Sequence, residues 1–407
     1  MIDFAEARHL VSQHCPRLPK ISIPTEQAFG FVLAEPLVAR RPLPRFDSSA
    51  VDGYAVRSAD IAAASRETSV MLALQGAVRA GDVRRLKLKQ GQSIRILTGA
   101  IVPAGADALV MQEHVQIEQE RVIFSAPVSP RNNIRFRGEE FRKGEMILES
   151  GALIAPPVVA MLATLGQDRV RVYRKPRVAL VVTGDELRTP GIHLRQGQIY
   201  DSNTPGLVAA LEAAGIDKID KFRVGDNPKR IEQTFRRALA HADVVISSGG
   251  VSVGSSDFVK DILGKLKVRN VFWRVAIKPG KPIYFGRRGK TVVFGLPGNP
   301  VAALVGFQIL IKPALLRMMG AESTDLLTLT ACLTHDLKKK PGRMEFVRGI
   351  LTHDAEGKLH VRPTRGQDSH MMGGLATANC LIQFPKDADR LSAGSDVTVS
   401  LLHWSAQ

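Results

Sequence analysis

A chain of 407 residues is too long for one ordinary hydrophobic core, so several domains are expected. Hydrophobic residues at 44% and charged residues at 23% are ordinary for a globular protein and exclude a disordered or fibrous composition. The formal net charge of +17 is less ordinary, because such a field concentrates phosphates, oxyanions or nucleic acid around the molecule.

Residues 1–46 read as a helix followed by a Pro-rich connector, Arg41-Pro-Leu-Pro-Arg-Phe46, whose prolines favour extended backbone. Residues 47–143 hold short alternating runs such as Gln92–Leu97 and Ala108–Gln112 between Gly and Pro turns, which predicts an inserted β-rich domain. Residues 144–175 return to helix, with Pro156 and Pro157 in a first turn and Gly166 just past the end, and complete a helical and extended stalk with residues 1–46.

From 176 to 322 strand, loop and helix alternate, the pattern of a doubly wound parallel α/β domain. Arg177–Thr183, Asp243–Ser247 and Thr291–Phe294 are apolar enough for strands covered on both faces. Thr204-Pro205 and Asn227-Pro228 each supply a cap followed by a first-turn proline. The first helix closes at Gly215, and the second carries Ile231, Phe235 and Leu239 on one stripe. Residues 323–407 hold short strands, including Thr328–Cys332, Glu345–Arg348, Leu359–Arg362 and Val397–Leu401, and fit a small β-barrel.

Aromatic residues are only 5%, and there is no ribonucleoprotein aromatic motif or zinc-finger spacing, so nucleic acid is not the expected partner. Cys15, Cys332 and Cys380 lie far apart, form no C-x-x-C pair and suit reduced thiols in a cytoplasmic protein. Asp3 and Glu6 stand where a secretory signal needs a basic start. The apolar stretches 151–166 and 300–311 are broken by Pro or Gly and read as too short to span a membrane.

In open α/β sheets ligands bind beyond the carboxyl ends of the strands, and the unusual motifs fall there. Gly184-Asp185-Glu186 follows one strand, Gly225-Asp226 another, and Ser248–Gly254 with Asp257 a third. Lys278-Pro-Gly-Lys281 follows a strand read over Val271–Ile277, and Leu296–Pro300 follows the strand ending near Phe294. Glycines let backbone N–H groups face a ligand, and a helix beginning near Asp257 or Phe258 adds its positive dipole end, so the Gly-rich loop can cradle a phosphate. It is neither a Walker A loop nor G-x-G-x-x-G.

Lys278 and Lys281 can point two ammonium groups at one oxyanion. Glu186, Asp226 and Asp257 come from three strand ends, and carboxylates beside lysines and a phosphate cradle suit a hard cation such as Mg²⁺. Asp257 equally suits an N-cap, and Asp185 can hold its own turn. Asp52-Gly53 reads most simply as a hairpin turn.

Taken together, D-G-Y-A-V at 52–56, T-G-A at 98–100, T-G-D-E-L at 183–187, Y-D-S-N at 200–203, S-G-G-V-S-V-G at 248–254, K-P-G-K-P at 278–282 and G-L-P-G-N-P at 295–300 resemble the molybdopterin molybdenumtransferase family, that of MoeA and the gephyrin E domain. The resemblance continues through Gly342–Gly349 and Gln367–Met372 and so covers nearly the whole chain in order.

The resemblance implies a cytoplasmic homodimer that inserts molybdate into adenylylated molybdopterin with release of AMP and Mg²⁺ present. It implies contact with the molybdopterin adenylyltransferase and acceptor molybdoenzymes. Asp52, Thr98, Glu186, Asp226, Asp257, Lys278 and Lys281 are implied as catalytic, with Asp226, Asp257 and Glu186 toward the metal. Substrate binding is implied for Glu140, Ser202, Asn203, Gly249, Gly250, Val251, Ser252, Gly254, Pro297, Gly298, Asn299 and Pro300. A catalytically degenerate pterin-binding or scaffold paralogue is the alternative. Arg137-Gly-Glu-Glu140 departs from the family's R-G-E-D, and the added methylene moves that carboxylate by about 1.5 Å, roughly one C–C bond.

Overall fold

Ala7 and Val11 are the buried face of helix α1 (Phe4–His14), which packs into the core of the larger of two compact units. The structure, a computed structural model, describes residues 1–82, 86–249, 258–402 and 404. One unit comprises Met1–Glu35, Ser150–Val159 and Arg169–Gln407, the other Pro36–Glu149 with Ala160–Asp168.

After α1 the chain forms strand β1 (Lys20–Pro24), paired antiparallel with β2 (Arg169–Tyr173). The helix expected between Pro156 and Gly166 is present, but the end of the 144–175 segment is strand. Helix α2 covers only Pro156–Thr164, ending before Gly166 at φ +71°, and Val170 and Val172 then alternate inward in the strand manner.

The central sheet grows from β3 (Val178–Thr183), all of whose residues are buried. It adds β4 (Ile219–Val224), β5 (Val244–Ser248), β6 (Arg269–Trp273), β8 (Tyr284–Arg288) and β9 (Thr291–Leu296) in the order β4-β3-β5-β9-β8-β6. Strand β7 (Ile277–Lys278) lies outside this sheet. Alternation along β3 feeds two cores. Leu180 and Val182 join Leu207 and Leu211 of helix α3 (Asn203–Ala213), while Ala179 and Val181 join Phe235 of helix α4 (Pro228–His241) and Leu263 of helix α5 (Phe258–Lys265).

The doubly wound architecture is therefore present, but the sheet is not wholly parallel. Strands β4, β3, β5 and β9 run parallel, whereas β8 and β6 run antiparallel. The tight turn at Gly289-Lys290 between β8 and β9 has no room for the crossover that a parallel neighbour requires.

Asn227 caps α4, its side chain accepting from the Arg230 amide, with Pro228 in the first turn and Ile231, Phe235 and Leu239 buried. The start of α3 is two residues earlier than Thr204-Pro205 suggests. Asp201 accepts from both the amide and the hydroxyl of Thr204, leaving Thr204 inside the helix.

The segment from 300 also differs from expectation. It continues past Ile311 as one helix, α6 (Pro300–Met318), 19 residues long and apolar enough to cross a membrane by length and composition. A π-helical turn at Phe307–Ile311 ends two residues before Pro313 and takes up the register that a residue without an N–H cannot complete. Its most apolar stretch is 78% buried within the protein, the environment of a core helix.

In the C-terminal region, Thr328–Leu333, β10 (Met344–His353), Leu359–Pro363, Asp396–Leu401 and Cys380–Phe384 form a sheet that β10 closes by pairing with Cys380–Phe384, around Leu333, Val361, Ile382 and Val399. The barrel expectation holds in this pairing. Strand β7 extends the sheet by pairing parallel with β10.

The second unit contains a six-stranded sheet of Ala108–Met111, Gly53–Val56, Gln92–Ile96, Val70–Val78, Arg121–Phe124 and Val115–Glu118. Tyr54 and Val56 face one core and Ala55 another. Gly53 is not in a hairpin turn. It opens a strand bordered on both sides, and a Cβ there would lie 2.0 Å from the Val110 carbonyl oxygen, so close backbone approach is what demands glycine.

Candidate active-site cleft

The carboxyl ends of β3, β4, β5 and β9 face a cleft of about 790 Å³. Glu186 follows β3, Asp226 follows β4, Gly249 follows β5, and Pro297, Gly298 and Asn299 follow β9, and all six line it. Lys278, Lys281 and Asn203 line it as well. One part of the sequence expectation is corrected here. Lys278 does not arrive at the end of a strand of the central sheet. Strand β6 stops at Trp273, and Lys278 belongs to β7, held by the C-terminal sheet.

Buried polar contacts fix the floor. Asn203 Nδ2 donates to Ser248 Oγ at 2.8 Å and to the Gly298 carbonyl at 2.7 Å, and Ser248 Oγ donates to the Pro297 carbonyl at 3.2 Å. Asn203 Oδ1 and Thr183 Oγ1 are buried without a protein partner among the described residues, which leaves an acceptor and a hydroxyl for a polar guest. Gly249 sits at φ +93°, and a Cβ there would come within 2.6 Å of the Thr183 carbonyl, so its backbone lies against the end of β3.

The acidic side is built by reciprocal bonds. The Asp185 amide donates to Asp226 Oδ2 at 3.3 Å, and the Asp226 amide donates to Asp185 Oδ1 at 3.2 Å. Asp185 thus holds the turn that presents Asp226. Glu186 and Asp226 supply hard carboxylate oxygens at one cleft. Mg²⁺ keeps several waters and takes one or two carboxylates plus substrate phosphates, so this donor chemistry fits it. No group of three His, Cys, Asp or Glu placed to share a metal occurs among the described residues, and Asp257 lies outside them.

The facing wall comes from the C-terminal region. Arg343, Gln367, Asp368, Ser369 and His370 line it. Arg348 is fully buried, and its Nη2 donates to the carbonyls of Gly366 at 2.6 Å and Asp368 at 3.2 Å, pinning the 366–368 loop. Gln367 Oε1 accepts from the Arg348 amide and its Nε2 donates to the Arg348 carbonyl. Asn299 Nδ2 donates to Ser369 Oγ at 2.8 Å, joining the two walls. Lys278 Nζ lies 3.2 Å from Glu345 Oε1 on β10.

Of the expected residues, Ser202 precedes α3 and Pro300 starts α6, and neither lines the cleft. Gly250, Val251, Ser252, Gly254 and Asp257 lie outside the described residues. In the second unit the Thr98 amide and hydroxyl both donate to Asp52 Oδ1 at 2.7 Å, and these bonds hold the Asp52 carboxyl below the usual carboxylate range. Glu140 is exposed there. Sequence reasoning assigned no role to Thr183, Arg343, Glu345, Gln367, Asp368, Ser369 or His370. Thr183 stood only in the motif at 183–187, and the others only in the collinear segments 342–349 and 367–372.

Residues 2–166 match the family described as "MoeA N-terminal region (domain I and II)", residues 179–317 "Probable molybdopterin binding domain", and residues 330–402 "MoeA C-terminal region (domain IV)". The chain is 38% identical to the molybdopterin molybdenumtransferase of Haemophilus influenzae, over 92% of each chain. The chain belongs to the molybdopterin molybdenumtransferase family.

Other members agree. Identity to molybdopterin molybdenumtransferase 2 of Mycobacterium tuberculosis is 36%, over 98% of this chain and 99% of the relative. The crystal structure of the molybdopterin biosynthesis MoeA protein of Pyrococcus horikoshii OT3 superposes with a TM-score of 0.82 at 30% identity, over 99% of this chain and all of the other. As a member of the molybdopterin molybdenumtransferase family, the chain is a transferase of molybdenum cofactor biosynthesis, in agreement with the resemblance in its motifs.

Proposed function

We propose that this transferase inserts molybdate into adenylylated molybdopterin and releases AMP. The reading is carried by the convergence of Glu186, Asp226, Gly249, Lys278, Lys281 and Pro297 on one cleft, although they are scattered over more than a hundred residues of sequence. Lys278 and Lys281 hold the molybdate oxyanion as flexible point charges. The nucleotide phosphate is assigned to the Gly-rich segment that starts at Gly249, beside Gly298 and Asn299, on the strength of its glycines; its residues from Gly250 on lie outside the described ones. Asn203, fixed by two donated bonds, offers its Oδ1 to a polar edge of the pterin or ribose.

Glu186 and Asp226 would hold Mg²⁺, whose chemistry when bound is to neutralise phosphoryl oxygens as AMP departs. The absence of a cysteine cage among the cleft residues suits a metal cargo that must leave with its pterin dithiolene, because hard oxygen and cationic partners hold it weakly. Asp52, Thr98 and Glu140 belong to the proposed machinery by family resemblance. So do the homodimer, the contacts with the adenylyltransferase and acceptor molybdoenzymes, and the four-part division at 1–46 with 144–175, 47–143, 176–322 and 323–407. The free thiols Cys15, Cys332 and Cys380 suit the cytoplasm.

The test supplies adenylylated molybdopterin, molybdate and Mg²⁺ to the purified protein and follows AMP release and cofactor formation. Lys278→Ala and Asp226→Ala are expected to lower turnover by about 10²–10³-fold, the cost of removing a charge that stabilises a reacting group, with the far-UV spectrum unchanged. Normal turnover in both variants would refute the assignment.

A further inference from the structure

We infer that Glu345 is an internal competitor for the oxyanion: it engages Lys278 in the ligand-free cleft, yields it to an entering tetrahedral dianion, and so sets how tightly molybdate is held. The inference rests on the proposed role of Lys278 in binding the oxyanion.

Strands β7 and β10 run parallel with Lys278 and Glu345 as register partners, so both side chains leave the same face of the sheet. Both carboxylate oxygens are near the ammonium, Oε1 at 3.2 Å and Oε2 at 3.4 Å. The pair is asymmetric. The Glu345 side chain is 15% exposed and the Lys278 side chain 46%, and Lys278 lines the cleft whereas Glu345 does not. The lysine therefore stands between a shielded carboxylate and open space.

An ammonium on a four-carbon stem has three donors and can turn from one acceptor to another without backbone movement. A dianion entering the cleft competes with Glu345 for that ammonium and is repelled by the carboxylate behind it. Glu345 consequently weakens oxyanion binding while keeping Lys278 aimed and its charge partnered. That is the property required of a site that passes its cargo on. Glu345 is a positioning residue in this scheme, because it acts through Lys278 and touches no substrate.

The experiment titrates the full-length protein with molybdate alone by calorimetry, at constant pH and ionic strength. Glu345→Gln removes the charge and keeps the shape. It is expected to tighten molybdate binding by about threefold to fivefold, the upper part of the range for losing one partly exposed charge partner. Glu345→Asp keeps the charge and should stay within about twofold of the parent, because the cost of such a pair is set mainly by its charge. Structural damage cannot produce tighter binding, so a gain separates competition from a merely structural role. If Glu345→Gln does not fold, Glu345→Ala provides the same loss of charge, and thermal melts accompany each titration. Unchanged or weaker binding in the folded charge-neutral variant, with binding abolished by Lys278→Ala, overturns the competitor and leaves the oxyanion site standing. Unchanged binding in Lys278→Ala overturns the oxyanion site and the competitor with it.

Discussion

Asn203 joins the ends of β5 and β9 through a single amide, giving one hydrogen to Ser248 Oγ at 2.8 Å and the other to the Gly298 carbonyl at 2.7 Å. Only a side chain with two N–H donors on one nitrogen can do this from α3. Asn203→Ala is expected to cost about 1–3 kcal/mol, the penalty for stranding buried polar partners. Asn203→Asp should cost more, because a carboxylate would face the Gly298 carbonyl. Thermal melting of both variants checks the order, and an alanine variant melting below the aspartate one would contradict it.

The fork between Arg174 and Asp243 makes a second prediction. Arg174 donates to both carboxylate oxygens at 2.6 and 2.7 Å, and the Arg177 amide adds a bond at 2.8 Å. Burial pushes the Asp243 carboxyl up, but the Arg174 hydrogen bonds and the Arg177 amide outweigh it and leave the group below the usual carboxylate range. A carboxyl lowered by folding contributes stability above its unfolded value, near 4, and loses it as pH falls through the lowered folded value. Asp243→Asn should therefore flatten the acid limb of the stability profile. Asp243→Ala should cost about 2–4 kcal/mol by leaving Arg174 half-buried and unpaired, and an unchanged denaturation midpoint would count against the fork.

Asp52 gives a local version of the same linkage. Its carboxyl is held low first by the Thr98 amide, then by the Thr98 hydroxyl, and further by Arg95. The bonds persist at neutral pH and weaken only once acid reaches that lowered value. In a pH titration followed by NMR, the Thr98 amide should shift in step with Asp52 protonation, below the range of ordinary aspartates. In Asp52→Asn the step should vanish. A Thr98 shift that titrates with ordinary carboxylates would show that the two bonds do not hold in solution.

Gly53 tests packing in the second unit. A methyl group there would meet the Val110 carbonyl at 2.0 Å, with strands on either side to prevent retreat. Gly53→Ala is expected to cost about 3 kcal/mol or more, at the upper end of overpacking effects. Yield and melting temperature report it directly, and parent-like values would show that the sheet can open there.

Much of the molecule was legible because each signal was local. The buried run at β3, the Asn227-Pro228 cap and the stripe Ile231, Phe235, Leu239 are decided within a few residues by backbone and burial. The loops after β3, β4, β5 and β9 were assigned to one edge because parallel strands with covered faces leave their carboxyl ends together. The motifs themselves carried the family.

What the chain could not announce depends on partners distant in sequence. Gly53 looked like a turn residue, since a glycine forced by the carbonyl of Val110 carries the same letter as one forced by a turn. The strand leading to Lys278 was assigned to the wrong sheet, because Trp273 and Ile277 are close in sequence while their strands pair with β8 and β10. The apolar stretch 300–311 read as too short to span a membrane, because whether Pro313 ends a helix depends on the packing around it. Arg348 carried no assigned role, because only the 366–368 loop that folds against it supplies its partners, and Glu345 stood 67 residues from the lysine it engages. Local sequence settled which elements form and which loops gather. Tertiary structure alone decided which charges meet, because a side chain's electrostatic partner is set by distance in space and carries no period along the chain.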